Sequence, residues 1–137
     1  MPGIEWMNYK EFHNLYLVET IDLGDVYGMN YSSLETQFRD FANLKSISVN
    51  QCDLAENPFT GCTDLEKVTF HKDSTMGGIP INAFAGCTNL KEVWFGKKTG
   101  IMGDLGIENE DVIFFVYAGS EAEAYAVKNG IEYVVIS

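Results

Sequence analysis

A twelve-residue phrase occurs twice in this chain. Residues 59–70 read FTGCTDLEKVTF, and residues 84–95 read FAGCTNLKEVWF, which is an offset of 25 positions. A unit of this length built around Leu-x-x-Val-x-Phe cannot bury its apolar side alone, so copies must stack and share one core. The repeat therefore predicts a solenoid, a class of fold that more often binds other molecules than catalyses reactions.

Weaker copies of the same template surround the two clear ones. The template is a Phe, a Leu or Val six residues later, and two strand positions three and five residues beyond that. Four units fit it: Phe12, Val18, Ile21 and Leu23; Phe38, Leu44, Ile47 and Val49; Phe59, Leu65, Val68 and Phe70; Phe84, Leu90, Val93 and Phe95. A fifth, degenerate strand is predicted over 112–116, after a Gly-rich connector at 100–106.

The end of the chain has the pattern of a cap. Ser120 and Glu123 have the spacing of a capping box, and a short helix is predicted to follow through Lys128. Asn129-Gly130 ends that helix, and residues 131–136 read as a strand. We predict one domain, with an N-terminal cap and degenerate repeat at 1–33, repeats at 34–116 and a C-terminal cap at 117–137.

The start of the chain is rich in aromatic residues. This segment is predicted to cover the first coil of the solenoid, and a dimer seam is the alternative. The residues concerned are Trp6, Tyr9, Phe12 and Tyr16, with Tyr27, Met29 and Tyr31 as a second aromatic stretch. The segment lacks the basic start and apolar stretch of a signal peptide, so we expect a cytosolic protein or one whose leader was removed.

The charge balance excludes some partners. Twenty acidic residues against nine basic ones give a net charge of −11, which repels phosphate backbones and anionic membranes. No apolar run approaches the length of a membrane span, so membrane insertion is not expected. Excess acid also keeps a protein soluble, and that is the simpler interpretation; a preference for basic partners is the alternative.

The three cysteines occupy positions that the repeat defines. Cys62 and Cys87 stand where Phe41 stands in the earlier unit, so we predict buried thiols, with a disulfide between them as the less favoured reading. Cys52 fits the point where a leucine-rich repeat leaves its strand, in the segment 44–54. No Cys-x-x-Cys is present, and His13 and His71 are far apart, so neither a metal nor another cofactor is expected.

The doubled phrase resembles the BspA-like leucine-rich repeats of bacterial surface proteins. The resemblance rests on Ala83-Phe84-x-Gly86-Cys87-Thr88-Asn89-Leu90-x-x-Val93, on its counterpart from Phe59, and on residues 117–126, which are similar to that family's C-terminal cap. It covers about residues 34–137. It implies a short leucine-rich-repeat solenoid of the α/β class, with a strand-dominated parallel sheet, short helical or turn segments between the strands, and a C-terminal helix–strand cap. It also implies adhesion or protein binding at the cell surface or after secretion, without catalytic residues.

Strand alternation predicts where such a module would bind. Side chains between the core positions point outward from the sheet, and their series becomes apolar toward the C-terminal end. The predicted partner-binding residues are Trp94, Ile113 and Phe115, with Lys67, Thr69 and Glu92 as a polar border. An exposed aromatic cluster with a polar rim is typical of a binding hot spot for a protein or glycan. The simpler interpretation is that the last strand, residues 131–136, or the connector near Met102 folds over the cluster and makes it part of the core.

Two other segments are weaker candidates. The acidic loop 104–111 carries hard oxygen ligands, but its spacing is not that of an EF-hand, which favours a solvated turn over a calcium site. His71, Asp73 and Ser74 lie close in sequence, yet a catalytic triad is a spatial arrangement. We therefore predict a non-catalytic recognition module, with a structural spacer that has no ligand of its own as the alternative.

Overall fold

The described part of the chain forms a six-stranded parallel sheet with one short helix. The computed structural model describes residues 19–22, 41–49, 58–59, 61–73 and 78–137. The elements are β1 (Thr20–Asp22), β2 (Ser46–Val49), β3 (Lys67–Phe70), β4 (Glu92–Trp94), β5 (Ile113–Tyr117), α1 (Glu121–Asn129) and β6 (Glu132–Ile136). The strands lie side by side in chain order, as a β-solenoid of about four turns. The predicted strand-dominated parallel sheet is confirmed.

Neighbouring coils superpose in the register that the template predicts. Ile47 lies opposite Val68, Val68 opposite Val93, and Val93 opposite Phe114. The backbone ladder continues before each strand, since the Glu66 amide donates to the Lys45 carbonyl at 2.8 Å and the Lys91 amide donates to the Glu66 carbonyl at 2.8 Å. Equivalent residues of successive coils are therefore direct neighbours.

This register stacks like side chains inside the core. The leucines of the template, Leu44, Leu65 and Leu90, are all buried. The rings of Phe59 and Phe84 stack with centroids 5.9 Å apart and planes 2° apart. The strand-end rings Phe70 and Phe95 repeat the 5.9 Å spacing one layer away. The predicted inward positions of the template are confirmed for every described member.

The glycine of the repeated phrase is required by its backbone conformation. Gly61 and Gly86 have φ of 85° and 84°, the left-handed region that a side chain disfavours. The turn then brings Asn89 under the preceding coil, where its Nδ2 donates to the Thr63 carbonyl at 2.7 Å. The described residues that connect β1 to β5 form turns and no helices.

The Gly-rich connector packs against an earlier coil and not against the sheet face. The Ile79 amide donates to the Gly100 carbonyl at 2.8 Å, and the Phe84 amide donates to the Leu105 carbonyl at 2.9 Å. Tyr125 of α1 holds the connector from the other side, because its hydroxyl accepts from the Leu105 amide at 3.0 Å.

Burial, followed by the nearby Asp104 charge and hydrogen bond, raises the pKa of Tyr125, although the Leu105 bond opposes the shift.

The helix α1 begins and ends where the sequence predicts. Ser120 is its N-cap, with Oγ accepting from the Glu123 amide at 3.2 Å. The Glu123 carboxylate reaches back one residue further than in a standard capping box and accepts from the Gly119 amide at 3.0 Å. Gly130, at φ 67°, closes the C-terminus. No helix among the described residues is long and apolar enough to span a membrane.

Several expectations concern residues outside the described ranges. These are the predicted N-terminal cap with its aromatic residues, the template positions Phe12, Val18, Leu23 and Phe38, and Cys52. The division of the chain at 33, 116 and 117 likewise stays a prediction. Cys62 and Cys87 lie within the described part, and both are buried thiols, as predicted.

The thiol of Cys87 lies in an environment that opposes ionisation. Its Sγ lies 3.9 Å from the Phe59 carbonyl oxygen, within reach of a weak sulfur hydrogen bond. Burial, with smaller contributions from charge on Cys62 and Glu108, raises the pKa of Cys87 to about 12. An unfolded chain releases this proton near the ordinary thiol pKa of about 8.5. The folded state thus keeps a proton that the unfolded state loses, and its stability falls as pH rises between these values.

We predict that Cys87→Ala reduces this alkaline sensitivity. Between pH 9 and pH 11, the free energy of unfolding of the native chain should fall more steeply than that of the variant, by up to about 1.4 kcal/mol per pH unit. Urea denaturation at several pH values measures both slopes. Groups common to the two proteins cancel in the comparison, so equal slopes would contradict the buried, protonated thiol.

Candidate functional site

The outward side of the sheet carries two rows of side chains, which we call row A and row B. Each row takes one residue from each strand, and the strand pairing fixes its order. Row A is Thr20, Ser46, Lys67, Glu92, Ile113 and Glu132. Row B is Asp22, Ser48, Thr69, Trp94, Phe115 and Val134. Row B is polar over its first three strands and apolar over its last three.

The structure brings the six predicted site residues together. Lys67, Thr69, Glu92, Trp94, Ile113 and Phe115 occupy β3, β4 and β5 and are all half-buried. The rings of Trp94 and Phe115 stack with centroids 4.0 Å apart and planes 5° apart. The predicted adjacency of the cluster is therefore present, and its two aromatic members form one stack.

Polar groups hold the indole of Trp94 from two further directions. The Lys67 ammonium lies 5.4 Å from the ring centroid, which is a cation–π distance. The indole Nε1 donates to a Glu92 carboxylate oxygen at 3.1 Å. Lys67 belongs to β3 and Phe115 to β5, so they approach the indole from opposite sides of β4. Both faces of the Trp94 ring are thus occupied, and the ring presents its edge outward.

Neither β6 nor the connector near Met102 folds over the cluster. β6 pairs with β5 in parallel along its whole length, with Phe115 opposite Val134, and so extends the sheet. The connector segment at Met102 bonds to Ile79 instead, through a 3.0 Å backbone hydrogen bond. The alternative of a folded-over strand or connector is therefore wrong. It failed because a strand that continues the parallel register satisfies the backbone groups of β5.

The site extends beyond the residues that the sequence singled out. Val134 continues row B and is 44% exposed. Tyr117, at the end of β5, lies under the ammonium of Lys97 at 5.6 Å from its ring centroid. The alternating pattern of residues 131–136 already indicated a strand that contains Val134. Only the pairing of β6 with β5 in the same sheet places Val134 beside Phe115.

In the two weaker candidate segments, the described side chains make hydrogen bonds within their own turns. His71 Nδ1 accepts from the Asp73 amide at 3.2 Å, an arrangement local to its own turn, while Ser74 lies outside these ranges. In the acidic loop, the Asp104 carboxylate accepts from the Gly106 amide at 2.8 Å. Among the residues described, no three His, Cys, Asp or Glu side chains are grouped as a metal site.

Two clefts flank Tyr125, between α1 and the segment 101–112. Their volumes are about 480 Å³ and 550 Å³. Asp104 and Asn129 contribute to both. The Asn129 amide already donates to the Tyr125 carbonyl at 2.9 Å, and the Tyr125 hydroxyl is engaged by the connector. Of these two polar groups, the Asn129 amide is thus bonded within α1, and only the Tyr125 hydroxyl joins α1 to the connector.

No family model, curated protein or solved structure matches the chain. The resemblance to BspA-like repeats therefore rests on the quoted residues alone.

The stacked arrangement predicts energetic coupling between Lys67 and Trp94. A double-mutant cycle of Lys67→Ala and Trp94→Leu should give a coupling free energy of about 0.5–1 kcal/mol, the range for an exposed cation–π pair. Urea denaturation of the four proteins measures it. Lys45→Ala in place of Lys67→Ala is the control, because Lys45 pairs with Glu19 at 3.4 Å instead. Coupling no greater than in the control cycle would contradict the geometry.

Proposed function

We propose that this chain is a leucine-rich-repeat module of the BspA-like type that binds another protein through the outward face of its sheet. The observation that carries the proposal is the stacked Trp94–Phe115 pair, half-buried on that face and bordered by Lys67, Thr69 and Glu92. A rigid aromatic anchor loses little conformational entropy on binding, and the polar border supplies selectivity. Location at the cell surface or after secretion, and a role in adhesion, follow from the resemblance and belong to the same proposal.

The orientation of the rings favours a protein over a glycan as the partner. Stacking of a sugar on an aromatic residue needs a free ring face, and the two faces of Trp94 are taken by Lys67 and Phe115. The edge of the indole and the side of Val134 remain, in line with Phe115 along row B. An apolar ridge on a protein, laid along this row, fits the exposed surface better than a flat sugar ring does.

The charge of the chain adds a second property of the partner. With a net charge of −11, the chain attracts positively charged proteins over a distance that depends on the salt concentration. The apolar end of row B contains no charged side chain in β4, β5 or β6. We therefore expect salt to slow association while leaving the dissociation rate of the complex largely unchanged.

The test is capture of surface and extracellular-matrix proteins by the immobilised chain and by two matched variants. Trp94→Ala with Phe115→Ala removes the aromatic pair. Ser46→Ala with Ser48→Ala alters the same face at its polar end and serves as the control. Melting curves must show that all three proteins fold, and a panel of glycans is probed in parallel.

We expect the native chain and the serine variant to capture the same protein, with the aromatic variant weakened by about tenfold or more, as for loss of a hot spot. Equal capture by all three would place binding elsewhere. Binding of glycans alone would reject the choice of partner. No capture by any of them would favour the structural spacer over a binding module.

A further inference from the structure

The last strand of the sheet ends the described solenoid without the features that usually protect such an edge. β6 reads Glu-Tyr-Val-Val-Ile, and among the described strands it pairs with β5 alone. Tyr133, Val134 and Val135 are 37%, 44% and 49% exposed. Natural edge strands are commonly protected by lysine, proline, a bulge or an inward-pointing charge. β6 contains none of the first three, and its one charge, Glu132, belongs to the outward row A.

The hydrogen bonds of β5 determine which backbone groups of β6 face the open edge. The Ile113 amide donates to the Lys91 carbonyl, and the Phe115 carbonyl accepts from the Phe95 amide, so the backbone N–H and C=O groups of Ile113 and Phe115 point toward β4. By alternation, the backbone groups of Phe114 and Val116 point toward β6. In a parallel ladder, when the backbone groups of one residue point toward the neighbouring strand, those of the residue directly opposite point away from it. Phe114 lies opposite Tyr133 and Val116 opposite Val135, so Tyr133 and Val135 present their N–H and C=O groups to the open edge.

We propose that this edge binds the same edge of a second copy of the chain, in antiparallel orientation about a two-fold axis at Val134. In this register, Tyr133 of each copy lies opposite Val135 of the other. These are the residues whose backbone groups are available, and each such pair exchanges two hydrogen bonds. Val134 lies opposite its own copy, with side chains in contact. Antiparallel pairing of one strand with itself gives a closed, isologous interface.

The distribution of charge favours this occupant over the others. The two-fold register places Glu132 opposite Ile136, so the two Glu132 residues lie at opposite ends of the pair, about 13 Å apart. That distance exceeds the screening length of about 8 Å at physiological salt. A head-to-tail contact that continued the parallel register onto β1 would instead place Asp22 beside Val134. A basic peptide would find a single acidic side chain in β6.

The pairing would join the exposed apolar surfaces of two copies. Four of the six large apolar residues that are exposed in the described ranges belong to α1 and β6: Val127, Tyr133, Val134 and Val135. Tyr133 and Val135 lie on the inner side of the sheet, in line with the buried Phe114 and Val116. On the outward side, row B would run without interruption from Trp94 of one copy to Trp94 of the other. This inference does not require that row B bind a partner.

The first test is the oligomeric state of the 137-residue chain, measured by sedimentation equilibrium over a wide concentration range. The native chain should form dimers and no larger species. Val135→Pro removes an N–H that faces the open edge and not one that bonds to β5, so the variant should fold and lose the dimer. We expect its dissociation constant to rise by about tenfold or more. Val135→Lys is the second variant, should proline disturb the strand.

The second test fixes the register by cross-linking. In a Cys52→Ser background, Val134→Cys should form an intermolecular disulfide, because paired Cα atoms at a non-hydrogen-bonded position lie about 4.5 Å apart. Val135→Cys should not, because it lies opposite Tyr133. Cys62 and Cys87 are buried and common to both proteins.

Since each copy carries a net charge of −11, added salt should weaken the repulsion between the copies and strengthen the dimer.

The proposal is overturned by a monomer at all concentrations, by assembly beyond the dimer, or by a dimer that survives both Val135 variants. Cross-linking that is equal at positions 134 and 135 would also reject it. Trp94→Ala with Phe115→Ala should leave the dimer intact, so failure of the proposed binding function and failure of this inference are told apart.

Discussion

Stacking of equivalent residues in register is the constraint on which this structure depends. A single coil has one apolar side and too few residues to cover it, so its free energy of folding comes from its neighbours. Phe59 against Phe84 and Phe70 against Phe95 are the clearest contacts of this kind. The left-handed Gly61 and Gly86 set the same turn in two successive coils, and the identical turns allow the side chains to meet.

The same register creates the outward face. Alternation along a strand sends every second residue to each side, so the pairing that aligns Val68, Val93 and Phe114 in the core also aligns Thr69, Trp94 and Phe115 outside it. Residues of the outward rows can therefore vary without loss of core packing. The proposed binding site uses their change from serine and threonine to aromatic and aliphatic residues along the array.

The sequence predicted those features that depend on local pattern. The spacing of Leu65 and Leu90 predicted the positions of the coils, and Ser120 and Gly130 predicted the ends of α1. Both predictions succeeded because template spacing and capping chemistry act over a few residues. The position of β6 was left open, since strand alternation does not say which neighbour a strand joins. The occupied faces of Trp94 were missed as well, because they depend on rotamers of Lys67 and Phe115 from two other strands.

Native-state hydrogen exchange of a Phe84→Leu variant tests the shared core most directly. Phe84 is buried and stacks on the preceding coil, so its truncation should destabilise the array by about 1–2 kcal/mol. If the coils share one core, the amides of Val68, Val93 and Phe114 should lose protection by the same free energy. A loss confined to the coil at 79–95, with β3 and β5 unchanged, would contradict the account.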